Sequence, residues 1–275
     1  MSDQKKHKLG IVFADIPSNY KVQDIRFNKP VIHRNFKDGK LTGSMIIKDI
    51  DEVKINKEKI SYFTPNNIAI LLSINTKSKN KANELFTNYF KDDKIIFEDA
   101  IPARSSKLID YIEEIQTSIV FGYTALETFT NLSIPDDYIY ENKNHKGIVE
   151  NYNKEAIERW LDMKKKLNIL KEIYKTNKLE NQKWWSYFIL LEQYRNSIIH
   201  QKTINSTGFY KEYFKNNIFE ICNVSENIIK FFYDAHEENN QTNPIWPWLI
   251  NESNSFPVNN NYDSQNFEVI GRHEK

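Results

Sequence analysis

The segment QYRNSIIHQK, residues 193–202, sets Arg195, Asn196 and His200 within six positions of one another. Each residue type brings its own chemical capacity. Histidine changes charge near neutral pH, so it can take up a proton or give one away. Arginine keeps its charge and presents a planar fork of donors that matches the oxygens of a phosphate. Asparagine carries both an acceptor oxygen and an amide donor, which suits it to hold an imidazole or a phosphate oxygen in place. Together the three would support acid–base chemistry on a phosphate-bearing substrate.

On a helix turning about 100° per residue, Glu192, Asn196 and His200 stack at four-residue steps, with Arg195 beside them. Phe188, Leu191, Tyr194 and Ile198 make an apolar stripe in a different sector. The polar group therefore faces solvent, a partner or a substrate. The helix expected to carry both faces runs from about Trp184 to Gln201. A longer helix is expected from Ser106 to Asn131, ending before Pro135, because Leu108, Ile112, Ile115, Ile119, Gly122, Leu126 and Phe129 recur at alternating steps of three and four. Glu127 lies on a line with Val120 and Tyr123, off that stripe, and is a candidate to orient Arg195 or His200 from across the bundle. Glu192 is the second candidate supporting residue. Helical periodicity resumes in KEAIERWLDMKKKLNILKEIYKTN, with a break near Met163, and again from about Lys211 to Glu237.

Residues 1 to about 100 read differently. LGIVF, SMIIKDI, VKI, ISYF and IAILLSI are short extended pieces punctuated by KDGK and TPNN, with a short helix expected at KANELFTNYF. The expected fold class is α+β. A β-rich N-terminal region covers 1–102, a mainly α-helical bundle covers 103–238, and a Pro- and Asn-rich tail over 239–275 is irregular, closing with a strand at NFEVIG.

An arginine followed by a polar residue and then a histidine, late in a helix of an all-α bundle, resembles the R-x(4–6)-H signature of HEPN domains. The match is Arg195, Asn196 and His200. The stretch FGYTALETF, residues 121–129, is similar to the first long helix of such domains, where ALE is common. The resemblance covers about 103–238 and implies a HEPN-like bundle acting as a metal-independent endoribonuclease, with no cofactor and with two such motifs meeting across a dimer cleft. It also implies a toxin or an effector of antiviral defence by abortive infection, for which an inhibitor or antitoxin is a candidate partner.

The chemistry fits that role. Cutting RNA through its own 2′-hydroxyl needs one group to remove that proton, another to protonate the leaving 5′-oxygen, and positive charge around the phosphate. One chain supplies a single histidine here, whereas a two-fold homodimer would bring two copies of Arg195 and His200 to one cleft. DNA, lacking the attacking hydroxyl, is not expected to be cut. The alternative is a non-catalytic helical module that binds RNA or a protein, in which His200 is a helix-end histidine favoured by the helix dipole. An enzyme with its site in the N-terminal half has no motif in its favour.

Composition narrows the classes further. Lys and Arg number 38 against 37 Asp and Glu, so any nucleic-acid contact must be local. A 13% aromatic and 40% hydrophobic content argues for a folded chain. Cys222 stands alone, which excludes an internal disulfide and fits a reducing cytoplasm. No run has the length of a membrane span. The other histidines lack the spacing of a metal site, no glycine-rich phosphate loop is present, and Ser197 lacks a triad's partners. Trp184, Trp185, Trp246 and Trp248 read as packing residues before base-stacking ones, and KDDK and MKKKL read as solvated faces.

Overall fold

The computed structural model describes residues 8–13, 21–90, 101–143, 147–200, 208–237, 243–249, 256–260 and 267–273. The chain is an α+β protein that divides into two compact units, one made of 1–69 with 236–275 and the other of 70–235. This division falls elsewhere than at residue 102, because the helical unit begins at residue 70 and the sheet unit takes in 236–275.

The first unit is built on a mixed sheet. Its strands are β1 (Lys8–Phe13), β2 (Val31–Lys37), β3 (Lys40–Ile55), β4 (Glu58–Phe63), β7 (Val258–Asn259) and β8 (Phe267–His273), in the order β7-β2-β3-β1-β8 with β4 paired to β3. KDGK is the β2–β3 turn, with Asp38 and Gly39 at positive φ of 51° and 75°, the geometry a two-residue hairpin requires. SMIIKDI and VKI prove to be one strand, β3, which pairs antiparallel with β1, β2 and β4. The expected closing strand is present as β8, which pairs parallel with β1, Lys8 standing opposite Phe267. Val22, Trp248 and Phe256 form a buried cluster on which Ile25 and Ile32 pack. Among the described residues of the C-terminal stretch, 258–259 and 267–273 join the sheet and 243–249 are irregular.

IAILLSI departs from the expected strand. It is not a strand but the opening of α1 (Asn67–Tyr89), continuous with the helix expected at KANELFTNYF. A short apolar run fits either period, and what decides here is the cap and the wider spacing. The Asn66 side-chain oxygen accepts from the Ala69 N–H at 3.0 Å, a helix N-cap. Ile68, Leu72, Asn75, Ala82 and Leu85 then fall on one buried face.

The second unit holds the helices α2 (Ile101–Ser133), α3 (Lys154–Trp160), α4 (Met163–Ile173), α5 (Trp185–Ile199) and α6 (Ile218–Glu237), most of α1, and a hairpin β5–β6 (Tyr140–Lys143, Val149–Tyr152). Helix α2 is central, packing on α4 and α5, and its stripe Ile115, Ile119, Leu126 and Phe129 is fully buried. The break near Met163 separates α3 from α4, where the Asp162 side chain caps α4 by accepting from the Lys165 N–H at 2.9 Å. Asn75 joins three helices: its amide nitrogen lies 2.8 Å from the Ser118 carbonyl and 2.9 Å from both the Ser118 hydroxyl and the Cys222 carbonyl. Among the described residues no helix is long and apolar enough to cross a membrane. Residues 91–94, the KDDK cluster, lie outside the described residues.

Candidate active site

Helix α5 places the three motif residues at its C-terminal end. Phe188, Leu191 and Tyr194 are buried as the stripe requires, whereas Asn196 and His200 are exposed and Arg195 is half-buried. The helix stops at Ile199, so His200 is its C-cap, with φ −116° and ψ 42°. The His200 N–H still donates to the Asn196 carbonyl at 2.9 Å, which keeps the two residues one turn apart. Gln201 lies outside the described residues.

The end of α5 is held from the side opposite the motif. The Tyr194 hydroxyl reaches Glu212 at 3.3 Å, and its ring meets that of Tyr213 edge-on with centroids 5.8 Å apart. Both partners belong to a 3₁₀ turn, Gly208–Phe214, which is itself fixed to α2 by the Tyr111 hydroxyl donating to the Tyr213 carbonyl at 2.6 Å.

Arg195 is pinned by two contacts. Its guanidinium carbon sits 5.0 Å from the ring centroid of Tyr123 on α2, a cation–π arrangement. Its Nη1 donates to the Asn196 side-chain oxygen at 3.0 Å. Asn196 therefore steadies the arginine, where the expected role was to hold the imidazole or a phosphate. A guanidinium carries five N–H donors in a planar fork, a geometry that matches the oxygens of a carboxylate or a phosphate.

The two candidate supporting carboxylates meet lysines of α4. Glu192 pairs with Lys164 at 3.4 Å, and Glu127 with Lys166 at 3.8 Å. The ion pair that Glu127 makes is to Lys166 and not to Arg195 or His200. MKKKL is accordingly not a wholly solvated face. Lys166 is 2% exposed, its ammonium donating at 2.7 Å to the Glu158 carbonyl in the last turn of α3. Burial lowers its pKa, opposed by Glu127, Glu158 and Asp162. The same surroundings act on Tyr123, whose phenol is pushed well above its ordinary range by burial, then by Glu192 and Glu127, with Arg195 opposing. At neutral pH Tyr123 is a neutral ring beneath a fixed cation.

Sequence reasoning missed Tyr123, Lys164 and Lys166. Tyr123 was visible only as part of the Val120–Glu127 line, and nothing in a run of three lysines distinguishes the one that turns inward. Ser197 is accounted for by its hydroxyl donating to the Gln193 carbonyl at 3.0 Å. Trp184, Trp246 and Trp248 are buried, as packing residues should be.

Fold and site define an α+β protein whose helical unit carries a half-buried arginine with an exposed asparagine and histidine on a braced helix end. Comparison with known protein families, curated proteins and solved structures gives no match.

Proposed function

We propose that the helical unit is a metal-independent endoribonuclease of the HEPN type, working as a homodimer in the cytoplasm as a toxin or antiviral-defence effector. The observation that carries this reading is Arg195, fixed by Tyr123 and Asn196, with a solvent-exposed His200 five residues further on at the cap of the same helix. In the proposed reaction one His200 removes the 2′-hydroxyl proton. The 2′-oxygen bonds to phosphorus, and the P–O5′ bond breaks as the second protomer's copy of that histidine protonates the leaving oxygen. Arg195 holds the phosphate oxygens as charge builds on them. The products are a 2′,3′-cyclic phosphate and a 5′-hydroxyl.

The test is RNA cleavage by the purified full chain. Cutting should persist in EDTA, leave cyclic-phosphate ends, and fall by roughly 100- to 10,000-fold in His200→Ala with folding and association unchanged. Equal cutting by His200→Ala and the native chain would refute the site. RNA binding with no cleavage by either would favour the non-catalytic module.

A further inference from the structure

We infer that Trp160 is a base-stacking platform for single-stranded RNA, flanking the Arg195 site; the inference rests on the ribonuclease reading above. Trp160 closes α3 and is 68% exposed, whereas Trp184, Trp246 and Trp248 are all buried. Exposing so large an apolar ring is costly in water, and tryptophans are on average among the more buried side chains. No helix requirement explains it, because Leu161, the next residue, already supplies the buried contact at this corner.

The surroundings point to a nucleobase. The Arg159 guanidinium lies 4.9 Å from the Trp160 ring centroid, pairing a cation with the ring while most of the indole remains open. Unstacked RNA bases are received by aromatic rings and arginine planes of this kind. Lys164 and Lys165 follow at the start of α4 with their side chains about half exposed. Of the nearby carboxylates, Asp162 is engaged as the α4 cap, and its charge reaches Tyr123. Lys164 bridges to Glu192, one turn before Asn196 on α5. A strand whose phosphate lies at Arg195 would therefore find a flat ring and basic side chains on the adjoining corner. Charge, more than apolar area, favours RNA over a protein partner: Arg159 lies on the ring and Lys164 and Lys165 follow it in the chain, although Ile148 and Val149 of the β5–β6 hairpin are exposed too.

The experiment uses the full chain carrying His200→Ala, so that bound RNA stays intact, and measures anisotropy of a short labelled single-stranded RNA. Adding Trp160→Ala should weaken binding roughly 5- to 100-fold, the range for losing one stacked base. Trp160→Phe should recover most of that loss, and an abasic oligomer should bind both forms alike. Unchanged binding by Trp160→Ala overturns the inference, as does an equal loss on the abasic oligomer. A change in sedimentation of the RNA-free chain would also overturn it, marking Trp160 as a protein contact. If the chain without these substitutions neither cuts nor binds RNA, the ribonuclease reading itself has failed. If it cuts and binds normally but is indifferent to Trp160, only the stacking site has.

Discussion

Arg195 depends on a flat partner beneath it. A guanidinium spreads its charge over a plane that can lie on the Tyr123 ring and still present donors outward, which a lysine ammonium cannot do in the same way. Arg195→Lys should therefore lower RNA cleavage by about 10-fold or more despite the kept charge, since a desolvated cation–π contact and a bidentate fork are lost together. Tyr123→Phe keeps the ring and should stay within about threefold of the native rate, on an argument that assigns the phenol no proton-transfer role. Wild-type rates in Arg195→Lys would remove the orienting role given to Tyr123. Lys48 on β3 is buried with its ammonium 3.8 Å from the Phe63 ring centroid and 5.0 Å from that of Phe27. Burial lowers its pKa to about 8, with Asp24 opposing, from an ordinary value of 10.5. Between those values the unfolded chain binds a proton that the folded one has released, so this group makes stability rise with pH across the window. Below about 8 both states are protonated and the full cost of the buried charge is present. Lys48→Met should then raise the melting temperature at pH 7, with the gain shrinking toward pH 10.5. A gain that is constant with pH would show that the ammonium is not the cause.

Among the elements, α1, α2 and α6 meet at a single polar point. The Asn75 amide reaches acceptors on both other helices, and a Cβ on Gly122 would stand 2.7 Å from that amide nitrogen. Asn75→Ala should cost about 1–3 kcal/mol through lost buried hydrogen bonds, and Gly122→Ala a similar amount through overpacking. The double variant should cost clearly less than the sum, because removing the amide makes room for the methyl. Strict additivity in urea unfolding would mean the two do not meet. This junction also shows what the sequence could and could not disclose. The stripe of α2 and the polar sector of α5 were legible because long amphipathic helices repeat their pattern over many turns. The opening of α1 was not, since Ile68 to Ile74 fits either period until Asn66 is seen to cap it. The Arg195, Asn196 and His200 sector was likewise readable from spacing within one helix. Its contact with Tyr123 and the inward turn of Lys166 depend on how separate helices pack, which spacing along one chain does not encode.

For the whole molecule, the proposed reaction requires more than one chain. Two proton transfers and a single motif histidine per protomer make the rate depend on assembly, so specific activity should fall on dilution below the dimer dissociation constant. Excess His200→Ala chain should suppress native activity by forming mixed dimers. Activity per chain that is constant over all dilutions, in a protein that sediments as a monomer, would require both transfers to be made within a single copy. The sheet unit imposes a different order of events. Residues 70–235 interrupt it, and β1 finds its parallel partner β8 only after the entire helical stretch has been passed. As the polypeptide leaves the ribosome, β1 to β4 can pair among themselves, while the edge of β1 that receives β8 must wait for translation to reach it. A nascent chain would carry the Arg195 cluster before its N-terminal sheet is complete.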